Sequence, residues 1–332
     1  MMRIGIIGLG FMGATHVKAW LQVPDAKIGA LCNPSGRNLD GDFSEVAGNV
    51  GDAALKLDMN GVAAYRDFAA MVADPNIDAI DICTPTHTHV DLALAALAAG
   101  KHVICEKPMA RTSAEARRMV AAAREKGRIL MPAMCLRFWP EWAWLKEAVT
   151  SGRFGPVLSA RFTRIAEPPA WGQATFFDGA KSGGGLLDLH IHDTDFVNFL
   201  FGRPLAVQSH GYSRVSGCID HVITRYEVAC GALVHAEGAW TMAKSFGFRM
   251  SYTVNFEKAT ADYDLARGAE ALRVSAEGET KTITCEGPDG YVRQLTHFAH
   301  AIRSGTATTV VTAEDGALAV EICEAEAEAA AA

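Results

Sequence analysis

Gly8-Leu9-Gly10-Phe11-Met12-Gly13 follows directly on the apolar run 3–7 and opens a helix-forming segment that reaches about residue 22. Few architectures accept a strand that ends in G-x-G-x-x-G and turns at once into a helix. The first glycine permits the tight turn, the second lets a pyrophosphate approach the backbone, and the third lets helix and strand pack closely. The helix start contributes free amides and the positive end of its dipole. Gly8, Gly10, Phe11, Met12 and Gly13 are therefore read as a dinucleotide-binding turn. A glycine turn that serves packing alone is the plainer alternative.

Strand-like runs at 3–7, 27–32, 79–83, 102–105 and 128–133 alternate with helix-like runs at 90–99 and 114–126. Such alternation is the sequence form of a doubly wound parallel sheet covered on both faces. Thr112 and Glu115 supply a start signal for the second helix, and Gly127 supplies a stop. After a helix-forming stretch at 139–150 the pattern changes to longer alternating strands at 157–164, 221–229, 233–240 and 249–256. Strands here follow strands, which predicts an α+β domain on a large, mostly antiparallel sheet. Helices at 186–200, 291–304 and from 313 onward are expected to cover one face of it, the last fraying over 321–332. The expected division is an α/β Rossmann domain at 1–136 and an α+β domain, binding substrate and making oligomer contacts, at 137–332.

A chain of 332 residues is too long for one small core, which fits two domains. Hydrophobic residues make up 49% and charged residues 21%, and no apolar run approaches the ~20 residues of a membrane span. The formal charge of −7, with no basic cluster, lacks the footprint of a phosphate-backbone binder. Neither nucleic acid nor a membrane is an expected partner. The start, Met1-Met2-Arg3-Ile4-Gly5, enters a strand at once without a signal-peptide core, which predicts a cytoplasmic protein. The eight cysteines, with no C-x-x-C pair, read as buried free thiols rather than disulfides or zinc ligands.

The end of the second strand bears on which dinucleotide binds. An acidic residue there would accept hydrogen bonds from the adenosine ribose and repel a 2′-phosphate. This chain has Asn33, with Ser35 and Arg37 just beyond as donors, which tilts the reading toward NADP and leaves NAD admissible. Thr84, Pro85, Thr86 and His89 follow the fourth strand at the carboxyl edge, where ligands of such sheets bind. His89 reads better as a cap or packing residue than as a catalyst.

Glu106-Lys107-Pro108 lies between an apolar strand and a new helix, and a polar segment follows far downstream, from Gly183 to Asp195. Read as one α-helix, Asp188, His192 and Asp195 are spaced i, i+4, i+7 and share a stripe, whereas His190 and Asp193 point elsewhere. His192 is the candidate proton acceptor, because an imidazole titrates near neutral pH. Asp188 would orient it or share the proton, and Lys107 would hold the reacting oxygen. The same residue types could ligate a metal, but His190 and His192 cannot share a helix face, so none is expected.

With these motifs in order, the chain resembles the Gfo/Idh/MocA family of NAD(P)-dependent oxidoreductases over nearly its whole length. Gly152-Arg153-Phe154-Gly155-Pro156-Val157, residues 295–302 and Thr312-Ala313-Glu314-Asp315-Gly316 add to the likeness. The resemblance implies a Rossmann domain, an open-faced sheet domain forming a homodimer or homotetramer, and a polyol or sugar substrate. It carries Lys107, Asp188 and His192 over as the catalytic residues, and it counts Glu106 and Lys107 among those at the cofactor. Asn33 departs from the acidic residue common in the family, and His190 replaces a residue that is often small. Arg137, Trp139, Trp171, His190 and Asp195 are weaker candidates for substrate contacts, tryptophan by stacking on sugar rings and arginine by binding hydroxyls. The function expected is hydride transfer between a nicotinamide and a secondary alcohol or ketone of a cyclic polyol or sugar. Two alternatives stay open: a cofactor-retaining glycoside hydrolase or lyase that works by transient oxidation, and a non-enzymatic sugar or cofactor sensor.

Overall fold

The computed structural model describes residues 1–46 and 55–331. The chain divides into two compact units, Met1–Cys135 with Asp289–Val320, and Leu136–Pro288 with Glu321–Ala332.

The first unit runs β1 (Met2–Ile7), α1 (Phe11–Trp20), β2 (Ala26–Cys32), β3 (Ala63–Tyr65), α2 (Phe68–Ala73), β4 (Ala79–Ile82), α3 (His89–Ala98), β5 (His102–Cys105), α4 (Ser113–Lys126) and β6 (Leu130–Pro132). Its six strands lie in the order β3-β2-β1-β4-β5-β6, every neighbouring pair parallel. The order reverses at β1 and β4, the switch point where α/β sheets bind ligands beyond the strands' carboxyl ends. Ile4, Ile6, Ile80, Ile82, Val103 and Ile104 are fully buried, which is why these strands read as unbroken apolar runs. The three residues of β3 are too few to show a period, and the strand was not anticipated. Thr112 caps α4 by accepting from the Glu115 amide at 3.2 Å, and Gly127, at φ 58°, ends it.

The second unit runs α5 (Pro140–Ser151), β7 (Val157–Ala166), the short helices α6 (Gln173–Phe176) and α7 (Gly179–Ser182), and a π-helical turn Leu186–His190 leading into α8 (Ile191–Phe201). The strands β8 (Ala206–Tyr212), β9 (His221–Glu227), β10 (Leu233–Ala239), β11 (Phe248–Phe256), β12 (Ala259–Asp264), β13 (Leu272–Ala276) and β14 (Glu279–Thr282) follow. The eight-stranded order is β14-β13-β12-β11-β7-β10-β9-β8, antiparallel except where β10 meets β7. Along β9, Val222, Thr224 and Tyr226 are buried while Ile223, Arg225 and Glu227 are exposed, the alternation of a sheet with one covered face. Trp142 of α5 anchors the core, edge-on to Phe196 at 4.8 Å and to Tyr252 at 5.2 Å between ring centroids.

Two expectations about the last helices are corrected. α9 (Gly290–Ser304) does not serve the second sheet. It groups with the first unit, where Gln294 meets His16 of α1 and Arg303 pairs with Asp25. The first unit thus reclaims Asp289–Val320 from the expected 137–332 domain. α10 (Ala313–Ala331) does not fray from residue 321, since Cys323 and Glu326 are buried and Glu326 accepts from Thr194 at 3.1 Å. Composition alone suggested loose ends, but the helix has a core-facing side. No helix among the described residues is long and apolar enough to cross a membrane.

Candidate active site

The glycine turn has the shape its chemistry requires. Gly8 holds φ +89°, and a Cβ there would lie 2.6 Å from the Cys83 carbonyl oxygen. A Cβ on Gly13 would lie 2.0 Å from the Gly8 carbonyl oxygen, so α1 could not pack against its own turn with any larger residue. A Cβ on Gly10 would meet nothing within 4 Å, and this exposed glycine begins α1 with no side-chain cap. Backbone closed on two sides and open on the third suits a pyrophosphate lying over the helix start, so these residues fit a dinucleotide. Phe11 and Met12, in the first helical turn, are half-buried.

At the end of β2, Asn33 organises the next turn. Its Nδ2 donates to the Arg37 carbonyl at 2.7 Å and its Oδ1 accepts from the Ser35 hydroxyl at 3.0 Å. Ser35 and Arg37 are exposed. Residue 33 itself presents an amide rather than a carboxylate, and the Arg66 guanidinium lies against Gly36, a second cation at the loop that the sequence reading did not single out.

Beyond β4, Thr88 Oγ1 donates within its loop, with Thr84 Oγ1 and the Pro85 carbonyl each at 2.7 Å, and Thr86 is buried. His89 is buried between two loops. Its Nδ1 lies 2.8 Å from the Pro108 carbonyl and its Nε2 2.7 Å from the Thr84 carbonyl, so the ring clamps the β4 loop to the β5 loop. Burial pushes its pKa down. The Lys107-Pro108 peptide is cis, and the Lys107 amide donates to its neighbour Glu106 Oε2 at 3.1 Å.

Beneath Glu106 lies a buried polar cluster that sequence reasoning missed. Asp81 interrupts the apolar strand β4 and is fully buried. His16 and Trp20, one turn apart on α1, both reach it: His16 Nδ1 at 2.9 and 3.0 Å from its two oxygens, and Trp20 Nε1 at 2.7 Å. The other His16 nitrogen, Nε2, lies 3.1 Å from Glu106 Oε1. The legible signal was an acidic residue inside an otherwise apolar strand, since a buried carboxylate needs donors.

In the second unit the segment 186–195 is not the uniform α-helix on which the expected stripe was drawn. Its first turn is π-helical, and α geometry begins at Ile191. π turns of this kind recur at functional sites. Of the five ionisable residues here, Asp188 and His192 are half-buried, whereas His190, Asp193 and Asp195 are sealed inside. Three candidates for substrate contacts, Arg137, His190 and Asp195, are buried among protein partners. Asp195 and Arg137 form a buried two-pronged ion pair at 2.6 and 2.9 Å, with Arg137 also stacked 4.6 Å over Phe199. His190 lies against β10, where a Cβ on Gly238 would come within 2.5 Å of its ring, and its Nε2 is 3.1 Å from the Tyr226 hydroxyl. Burial, with Arg164 and His221 nearby, lowers the His190 pKa to about 3, so it carries no charge. Asp193 pairs with Arg164 at 2.8 Å, yet burial outweighs that cation and raises its carboxyl. Trp139 begins α5 from its N-cap position and is half-buried. Trp171 falls on the short turn Ala170–Gly172, and its side chain lies outside the description.

The description "Oxidoreductase family, NAD-binding Rossmann fold" matches residues 2–134, and the GFO/IDH/MocA C-terminal domain matches residues 142–262. The chain is 27% identical to myo-inositol 2-dehydrogenase of Thermotoga maritima, over 96% of this chain and 93% of that protein. It is 32% identical to levoglucosan dehydrogenase of Pseudarthrobacter phenanthrenivorans, over 63% of this chain and 53% of that one. A solved levoglucosan dehydrogenase, in complex with NADH and L-sorbose, superposes with a TM-score of 0.83 at 24% identity, covering 99% of this chain and 96% of that one, a likeness of fold. Family matches across both units, together with a glycine turn shaped for a dinucleotide, place this chain in the Gfo/Idh/MocA family of oxidoreductases, as an enzyme with a nicotinamide-dinucleotide-binding Rossmann domain.

Proposed function

We propose that Lys107, Asp188 and His192 carry a reversible dehydrogenation of a secondary alcohol on a cyclic polyol or sugar. One observation carries the reading: of the ionisable residues between 186 and 195, the fold buries His190, Asp193 and Asp195 among fixed partners and leaves Asp188 and His192 half-buried. Lys107 stands just beyond β5, at the carboxyl edge of the parallel sheet, with its amide fixed by Glu106. The relatives named for inositol and levoglucosan supply the substrate class.

The dinucleotide, when bound, supplies hydride transfer. His192 takes the hydroxyl proton in oxidation and returns it in reduction, and Asp188 orients the imidazole. The Lys107 ammonium donates to the reacting oxygen and stabilises the charge that develops on it. Gly8, Gly10, Phe11, Met12 and Gly13 would hold the pyrophosphate, and Thr84, Pro85, Thr86 and Glu106 would line the nicotinamide end. NADP is the preferred partner: no carboxylate at Asn33 repels a 2′-phosphate, and Ser35 and Arg37 are there to bind it. The exposed face of the second sheet, with Leu158, Ile223 and Leu233 on the surface, supports a homodimer or homotetramer that light scattering would reveal.

The test is a screen of inositols, aldoses, sugar acids and nucleotide sugars with NAD and NADP, followed by Lys107→Met on the best substrate. Turnover should fall by at least about 100-fold, the scale of a lost proton or oxyanion contact, with cofactor affinity retained. Unchanged turnover refutes the assignment. Product formation without net reduced cofactor would instead select the hydrolase or lyase reading, and binding without any product would select a sensor.

A further inference from the structure

We propose that His16 and Asp81 are positioning residues: a buried imidazolium, held between the carboxylates of Asp81 and Glu106, fixes Glu106 and through it the backbone of Lys107. The inference rests on the catalytic reading of Lys107.

The geometry is a continuous chain. Asp81 faces His16 Nδ1 with both oxygens, at 3.0 and 2.9 Å. Nε2 faces Glu106 Oε1 at 3.1 Å, and the other oxygen of that carboxylate accepts from the Lys107 amide at 3.1 Å. A neutral imidazole has one N–H, so it could satisfy only one of the two carboxylates; with both carboxyl groups ionised, both contacts are hydrogen bonds only if the ring is protonated. His16 and Asp81 are fully shielded from solvent and Glu106 nearly so, which makes an unmatched carboxylate costly.

The groups around His16 agree. From α1, Trp20 donates to Asp81 at 2.7 Å. From the end of β4, the Cys83 thiol, pushed well up by burial, donates to Asp81 Oδ1 at 3.3 Å. From α9, Tyr291 packs with its ring centroid 6.3 Å away, and the Gln294 amide nitrogen lies 3.5 Å from Nε2 while its oxygen has no partner. Turning that amide over would let the oxygen accept from the protonated ring, and amide orientation is settled by such networks. Burial by itself lowers the His16 pKa, but Asp81 and Cys83 beside it reverse this and hold it well above the ordinary imidazole range. His16, Asp81 and Cys83 are close enough to share a cation. Each oxygen of Asp81, however, already accepts from protein donors, which favours a proton over a metal.

The test combines NMR of histidine-labelled full-length enzyme with pH–rate profiles of the wild type, Asp81→Asn and His16→Gln. In the wild type the His16 ring should stay doubly protonated throughout the neutral range. Asp81→Asn removes the stronger counter-charge, so His16 should deprotonate within that range. kcat should then fall as pH rises through the new midpoint, by up to about 100-fold, as for a misplaced catalytic group, with KM moving less. His16→Gln should show the low kcat at every pH, without that titration. A neutral His16 in the wild type at pH 7, a wild-type pH profile in Asp81→Asn, or stoichiometric metal by elemental analysis would each overturn the proposal. The wild-type spectrum decides the ring's charge even if neither variant folds. Lys107→Met run alongside separates the failures: if it turns over normally while Asp81→Asn shows the new titration, the reading of Lys107 is at fault and not the protonation of His16.

Discussion

Glu326 offers a quantitative test of how α10 is held. It is fully buried on the last helix, accepts from Thr194 at 3.1 Å, and lies 3.4 Å from His190 Nε2. Burial raises its pKa from 4.5 to about 8, with hydrogen bonds from Tyr226 and Thr194 opposing the rise and Asp193 adding to it. Since His190 is neutral, this 3.4 Å contact is not an ion pair. The sign follows from linkage. A group whose pKa is raised on folding stabilises the fold fully below its unfolded pKa, and that contribution is lost as pH climbs through the folded value. Between pH 5 and pH 7 the unfolded chain releases this proton while the folded protein keeps it. Each pH unit then removes about 1.4 kcal/mol, or roughly 2–3 kcal/mol over the interval. Glu326→Gln keeps the shape and the polar contacts but cannot ionise. Urea unfolding at pH 5, 7 and 8.5, followed by circular dichroism, should find the variant within about 1 kcal/mol of the wild type at pH 5, the net worth of a hydrogen bond. At pH 8.5 it should be more stable by about 2–4 kcal/mol. Parallel pH dependence in the two proteins would refute the buried, protonated carboxyl.

Two further outcomes follow from the charged groups. Arg137→Met or Asp195→Asn alone should cost about 3–5 kcal/mol, because each strands a buried charge, while the double variant recovers most of that loss; chemical denaturation of all three decides, and additive losses would count against a coupled pair. Arg37→Ala should weaken NADP by about tenfold, the loss of one charged contact, and leave NAD nearly unchanged; equal effects on both in titrations would remove Arg37 from the 2′-phosphate.

Much of the first unit was legible because its signals are local. The strand, the glycine turn and the helix start are neighbours in the chain, and Gly8 and Gly13 are demanded by contacts within one turn or with the adjacent strand. The Thr112 cap and the Gly127 stop are each set within about one helical turn of chain and were read correctly for the same reason. What pattern could not supply was the fate of each polar side chain. His190, Asp193 and Asp195 look as reactive as Asp188 and His192 in the sequence, and only the π turn together with Tyr226, Arg164 and Arg137 separates them.

Sequence alone therefore determined the two-part α/β and α+β plan, the dinucleotide turn and the residues eligible for chemistry, because periodicity and glycine sterics act over short stretches of chain. The tertiary structure decided which eligible residues keep contact with solvent, that α9 serves the first unit, and that Asp81, His16 and Glu106 form one buried cluster. Burial and charge pairing depend on groups brought together from 29 to more than 130 residues apart, and spacing along the chain holds no record of them.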